Sequence, residues 1–247
     1  MSDWFSILAG VRQGGILSPV FYCIYIDDLV RILSEAGIGC HIRGLFLSIL
    51  LYADDMCLVA PSLKGLQRLL IMTETYCKDW DICLNSKKSK NMVFGKIPQN
   101  PPELILDGKG LEWVNSWLYL GVTLSSSKKY NCCIDAKVKS FYRSANAILR
   151  IDGYSNELVM LQLLESHCLP ILAYAIEVID VADSDARRKL RVAYTSMFRK
   201  IFNYKRNESV TDLQHTLGRP TWEELVKRRT DKFMDKISHC TLLSRFL

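Results

Sequence analysis

The most pointed set of chemically capable residues is Tyr52-Ala53-Asp54-Asp55, two adjacent carboxylates between a β-rich apolar run at 45–52 and a second at 56–60. This pattern predicts a hairpin with both acids at its tip. Neighbouring carboxylates repel each other, so the pair weakens the fold unless a cation gathers it. Hard oxygen donors suit Mg²⁺, and two such ions about 3.5 to 4 Å apart can stabilise the attacking and leaving oxygens of a phosphoryl displacement. Alone, an Asp-Asp turn is more often solvated surface. Its neighbours along the chain decide what it is.

Three further motifs flank the pair. Gly10-Val11-Arg12-Gln13-Gly14-Gly15-Ile16-Leu17-Ser18-Pro19 precedes it, Leu84-Asn85 with Lys88-Ser89 follows, and Leu118-Tyr119-Leu120-Gly121-Val122 comes next. In this order and approximate separation they resemble the palm motifs of reverse transcriptases, specifically those of LINE-type (non-LTR) retrotransposons. The resemblance is specific from about Asp3 to Leu124 and looser to the end of the chain. It implies an RNA-directed DNA polymerase, a nucleotidyltransferase whose substrates are an RNA template, a DNA primer and dNTPs, with Mg²⁺ or Mn²⁺ as cofactor.

Roles carry over residue by residue. The resemblance makes Asp54 a metal ligand and Asp55 its less direct partner, and sets Tyr52 near the primer end. Gln13 and Gly14 would lie against the templating base and incoming nucleotide; glycine permits close backbone approach, and a glutamine amide offers both donor and acceptor. Lys88 would meet the triphosphate or protonate departing pyrophosphate, with Lys87 and Lys90 too near in sequence to be separated from it. Tyr119, Leu120 and Gly121 would lie on the strand that grips the primer backbone.

The family places another catalytic aspartate on a palm strand well upstream of the Gln-Gly motif, with the fingers earlier still. Only twelve residues precede Gln13 here, and Asp3 has no apolar strand around it. The resemblance therefore implies a palm lacking one ligand, with an exposed sheet edge and apolar flank, and poor or no synthesis by this chain alone. A non-catalytic nucleic-acid-binding remnant is the second reading. A different metal-dependent phosphohydrolase would need further carboxylate or histidine ligands that the sequence does not offer.

Composition narrows the classes. The 247 residues are 49% hydrophobic and 23% charged, a globular profile with material for a sizeable core. The longest uncharged apolar run, 45–53, is far below the roughly 18 to 20 residues that span a bilayer, and the first ten residues lack the pattern of a secretory signal. An intracellular protein of the cytoplasm and/or nucleus, with no membrane partner, is expected. Nine cysteines without a C-x-x-C pair suggest reduced thiols rather than disulfides or zinc.

The net charge of +6 is uneven: up to Leu124 there are 11 basic against 12 acidic residues, and from Ser125 onward 21 against 14. A basic half attracts polyanions, so nucleic acid leads the partner classes. Candidate phosphate contacts are Lys137, Arg143, Arg187, Arg188, Arg191 and Lys200.

The elements that must position these residues divide the chain near 125. The first part, 1–124, predicts α+β structure: a helix capped by Ser18 with Pro19 at its first position, the hairpin, a helix from Leu63 capped by Ser62, and strands at 82–84, 91–94, 104–106 and 117–124 with an Asp107-Gly108 turn. Beyond, helical spacing runs over 134–151, 157–181, 185–204 and 221–239, with Pro170 dividing the second and a Thr221/Glu224 capping box starting the last. The resemblance assigns these parts to a partial antiparallel palm and a helical thumb with the segment that follows it. Oligomeric state is not legible, and Asp27 and Asp28, inside the first helix, read as surface acids rather than ligands.

Overall fold

A computed structural model describes residues 10, 14–95, 101–127, 132–151, 156–182, 184–241 and 243–246. Helices and short strands segregate along the chain, giving α+β structure in two compact units, residues 1–91 with 98–113 and residues 92–97 with 114–247. Among the described residues no helix is long and apolar enough to cross a membrane.

The first unit is built on two helices. In α1 (Ser18–Glu35) Ile26, Leu29 and Leu33 recur at helical spacing and are buried, and the chain leaves the helix through Ala36 and Gly37. In α2 (Leu63–Asp79) the Ser62 hydroxyl accepts the Gly65 N–H at 3.2 Å, and Leu69, Leu70, Thr73, Tyr76 and Cys77 form the buried stripe. β1 (His41–Ile42) pairs with β2 (Leu45–Phe46), and β3 (Ile49–Tyr52) with β4 (Asp55–Leu58), both antiparallel. Ile49 joins Ile26, Leu29, Leu33, Leu69, Tyr76 and Cys77 in one core. Each such burial is worth about 1.5 to 3 kcal/mol, so the helices and the hairpin hold one another.

Another sheet in this unit contains β5 (Lys90–Asn91), β6 (Leu104–Leu106) and β7 (Lys109–Trp113), ordered β5-β7-β6. β6 and β7 form a hairpin through Asp107-Gly108, while β5 runs parallel to β7. The Gln67 amide clamps the β6 backbone, donating to the Ile105 carbonyl at 3.0 Å and accepting its N–H at 2.8 Å. The far side of α1 is less covered, leaving Val20, Phe21 and Ile24 more than half exposed.

The second unit opens with the sheet β10-β9-β8, made of β8 (Ser116–Tyr119), β9 (Val122–Ser125) and β10 (Cys132–Cys133). Among the described residues seven helices follow: α3 (Asp135–Ile151), α4 (Glu157–His167), α5 (Leu169–Ala173), α6 (Ile176–Ala182), α7 (Ser184–Ile201), α8 (Thr211–Thr216) and α9 (Trp222–His239), then a 3₁₀ turn at Leu243–Phe246. Three contacts define the α3–α7 packing: Asp135 with Lys189, Tyr142 with Ser196, and Asn146 with Lys200, each separated by 54 residues. A constant offset means the two helices run parallel and in step. Phe141, Leu161, Leu164, Leu172, Ile176, Leu190, Tyr194, Phe198 and Trp222 are among the residues of the core between the helices.

Several predicted elements differ in detail. Ser18 is the first helical residue and Leu17 the cap, because the Gly15 carbonyl already accepts the Ser18 N–H at 3.2 Å and the turn runs straight into the helix. The 45–52 run is two strands, broken where the buried Ser48 hydroxyl turns inward to the Cys40 backbone. Ile82 and Leu84 pack on the core but, among the described residues, 82–84 find no strand partner and of 91–94 only Asn91 is paired. The expected strand over 117–124 is a hairpin, with Leu120 at φ +46° and Gly121 at φ +75° making its turn. Pro170 divides 157–181 as anticipated, and a second break at Tyr174-Ala175 was not foreseen. The Thr221/Glu224 capping box is present, with both of its hydrogen bonds made.

Candidate active site

Strand register delivers the two acids. Ile49 faces Leu58, Leu50 faces Cys57, Leu51 faces Met56 and Tyr52 faces Asp55, which leaves Ala53-Asp54 as a two-residue turn. Asp55 is therefore the first residue of β4 rather than part of the loop. Ala53 takes the left-handed φ of +51° that tight hairpins of this length demand.

The base of the hairpin is held by a close approach. Gly39, at φ +119°, lies so near Ser48 that an added Cβ would fall 1.8 Å from the hydroxyl oxygen. The Ser48 hydroxyl accepts the Cys40 N–H, and the Ser48 carbonyl accepts the Val59 N–H at 2.8 Å. The strands are thus fixed one turn away from the acids they carry.

Asp54, Asp55 and Tyr52 are all exposed at the tip. Among the described residues neither carboxylate makes an ion pair or side-chain hydrogen bond. Tyr22 of α1 lies close enough that Asp54 raises its phenol pKa, second to the effect of burial. Two uncommitted carboxylates match the way Mg²⁺ is commonly bound, by one or two acids with substrate phosphates and water filling the remaining positions. Among the described residues no group of three or more His, Cys, Asp or Glu side chains could hold a metal. Asp28 is instead paired with Arg31 at 2.9 Å on the surface of α1.

The lysine segment sits on the same core as the hairpin, since Ile82 and Leu84 pack on it together with Leu51, Met56 and Leu58. The Asn85 side-chain oxygen accepts the Lys88 N–H at 3.1 Å, and the Asn85 carbonyl accepts the Ser89 N–H at 3.0 Å. This side-chain turn stiffens the loop and leaves Lys88 exposed, as is Lys87. Lys90 is engaged elsewhere, its ammonium pairing with Glu112 at 2.6 Å across the β5–β7 strands. Gly14 is exposed with a φ of +77° and open space around it, so conformation rather than crowding calls for glycine there. Gln13 lies outside the described residues.

The second unit gathers the remaining candidates. Tyr119, Leu120 and Gly121 form the end of the β8–β9 hairpin, and the Tyr174 hydroxyl donates to the Leu120 carbonyl at 2.6 Å. Lys137 approaches the same place, donating to the Tyr174 carbonyl with its ammonium 5.5 Å from the ring centre. Lys200 donates to Asn146 at 2.8 Å, Arg188 pairs with Asp185 at 3.2 Å, and Arg191 with Glu223 at 3.6 Å. Arg187 is also engaged within the chain. Arg143 is exposed on α3 with no ion pair among the described residues.

The order of these motifs agrees with the outcome of comparison with known proteins. Residues 3–124 match the family described as reverse transcriptase (RNA-dependent DNA polymerase). Over nearly its whole length the chain is similar to enzymes of non-LTR mobile elements. It is 26% identical to the RNA-directed DNA polymerase from mobile element jockey of Drosophila funebris, over 98% of this chain and 27% of that protein. A probable RNA-directed DNA polymerase from transposon BS of Drosophila melanogaster gives 26% identity over 97% of the chain and 27% of its own length. The Pol polyprotein of a type-1 R2 retrotransposable element from Popillia japonica is 32% identical over 48% of the chain and 21% of that protein. The chain thus spans about a quarter of the length of the jockey and BS relatives.

Sequence reasoning missed two residues linked to the candidate positions, Tyr22, whose phenol feels the charge of Asp54, and Tyr174, which bonds to the Leu120 carbonyl. Helical spacing could have placed Tyr22 on the half-buried side of α1. No local signal marks Tyr174, which meets its partner across 54 residues of chain.

Proposed function

We propose that the chain is the later part of a LINE-type reverse transcriptase palm together with an adjoining helical thumb, working in template-directed DNA synthesis. The observation that carries this reading is the β3–β4 hairpin, which exposes Asp54 and Asp55 without an ion pair or side-chain hydrogen bond among the described residues, inside a segment that matches the reverse transcriptase family. Asp54 and Asp55 are the chain's ligands for Mg²⁺ or Mn²⁺. The bound metal supplies charge stabilisation for the oxygens of a phosphoryl displacement.

In the proposed reaction the primer 3′-hydroxyl oxygen bonds to the α-phosphorus of a dNTP, the bond to the β-phosphate oxygen breaks, and pyrophosphate leaves. Lys88, held by the Asn85 turn, faces the triphosphate and gives leaving pyrophosphate its proton. Gln13 and Gly14 lie against the nascent base pair, and Tyr52 meets the primer end. Tyr119, Leu120 and Gly121 hold the primer backbone, and the basic helices follow the template-primer duplex. Work on nucleic acid places the protein in the cytoplasm, the nucleus or both.

Two carboxylates fall short of the three-acid set that the resemblance implies, and this chain offers no third among its described residues. The purified chain is therefore expected to bind Mn²⁺ weakly, seen as loss of the free-ion signal by electron paramagnetic resonance, and to give no primer extension on poly(rA)/oligo(dT) with Mg²⁺. Asp54→Asn should abolish the Mn²⁺ binding. Mn²⁺ binding unaltered by Asp54→Asn would sink the metal assignment. Robust extension would overturn the inactivity of the chain alone, and extension surviving in Asp54→Asn would overturn the catalytic reading as well.

A further inference from the structure

We infer that Tyr174 is a positioning residue that latches the β8–β9 hairpin turn to the helices of its own unit, and so presents Leu120 and Gly121 to the 3′ end of a primer. The role at the primer end rests on the function proposed above. The latch itself rests on geometry alone.

Four observations converge on one place. The Tyr174 hydroxyl donates to the Leu120 carbonyl at 2.6 Å, in the middle of the turn. The ring lies against Gly121, where an added Cβ would stand 3.0 Å from the Tyr174 Cε1 atom. The backbone carbonyl of Tyr174 accepts the Lys137 ammonium, which also stands over the ring. Gly121, Lys137 and Tyr174 share the wall of a cleft of about 310 Å³ with Leu118, Val122 and Ile171.

The chain adopts an unfavourable conformation to make this contact. Apolar spacing favours one continuous helix beyond Pro170, yet α5 stops at Ala173, Tyr174 is extended at ψ 129°, and Ala175 takes a left-handed φ of +51°. A non-glycine residue there is strained, and such strain persists only when the surroundings enforce it. The break turns Tyr174 out of the helical run, half exposed, onto the turn. Leu118 beside the cleft is 63% exposed and Gly121 is open to solvent, so a surface remains for a ligand once the latch is made.

Tyr174→Phe separates the two parts of the inference, because it deletes one hydroxyl and keeps the ring on Gly121. Hydrogen exchange over 117–123 should accelerate about fivefold, the scale of one lost hydrogen bond, with an unchanged circular dichroism spectrum. Binding of a labelled primer-template with a recessed 3′ end should weaken three- to tenfold, while binding of a blunt duplex of equal length stays the same. A purely structural role would weaken both duplexes equally. Unaltered exchange in Tyr174→Phe would remove the latch, and altered exchange with an unaltered ratio of recessed to blunt binding would remove its role at the primer end. A wild-type chain that does not prefer the recessed end would overturn the proposed function and that role together, leaving exchange to judge the latch.

Discussion

Gly39 and Ser48 show how much of the candidate site depends on residues that carry no chemistry. The acids of the hairpin were legible because Tyr52-Ala53-Asp54-Asp55 stands between apolar runs and interrupts both. The support beneath them was not, since Gly39 and Ser48 meet through tertiary packing and neither belongs to a local motif. Gly39→Ala would drive a methyl into the Ser48 hydroxyl while forcing alanine to φ +119°. Overpacking and backbone strain together should lower stability by roughly 3 kcal/mol, read as a lower urea midpoint. Adding Ser48→Gly to that variant should recover part of the loss by making room, and recovery of nothing would show that crowding is not the cause. Tyr174 is hidden from sequence for the same reason, because its partner is a backbone carbonyl far along the chain.

At the scale of elements, what could be read was what local rules write. Ser62, the Thr221/Glu224 pair and Asp107-Gly108 each mark a boundary through contacts within a few residues, and each appears where expected. The parallel pairing of β5 with β7 and the turn inside 117–124 are set by distant partners, and continuous apolar runs concealed them. The fastening of α2 to the β6–β7 hairpin is another contact of this second kind. The Glu74 carboxylate accepts the Asp107 N–H at 3.1 Å and the Lys78 ammonium at 2.6 Å. The Lys78 hydrogen bond, then the Asp107 N–H, hold its pKa below the usual carboxylate range. A depressed folded value means the group stabilises the protein above its unfolded pKa, about 4.3, and stops doing so as pH falls through the folded value. Wild type should therefore exceed Glu74→Gln in stability at pH 7, and the gap should close as the solution is acidified below about pH 4. Urea midpoints at a series of pH values test this, and a gap that stays constant in acid would exclude the charge of Glu74 as its source.

For the whole molecule, the basic excess after Ser125 raises the expectation of a polyanion partner, but sequence could not show which cations are already committed. The structure sorts them. Arg188 and Arg191 face Asp185 and Glu223, while Lys137 donates to the Tyr174 carbonyl and Lys200 to the Asn146 side chain. Arg143 is exposed on α3 without an ion pair among the described residues, which makes it the candidate phosphate contact to test first. Each phosphate neutralised releases counterions and steepens the fall of log Kobs with log salt by about 0.9 on duplex DNA. Arg143→Ala should therefore flatten that slope by about 0.9, one phosphate contact. Arg188→Ala should leave it nearly unchanged, because Asp185 already offsets that charge. Fluorescence anisotropy with a short duplex, titrated from about 50 to 300 mM salt, reads both slopes in the range where this counterion term dominates. Equal slopes for wild type and Arg143→Ala would take α3 out of the interface, and a larger change for Arg188→Ala would mean that its pair with Asp185 opens when the duplex binds.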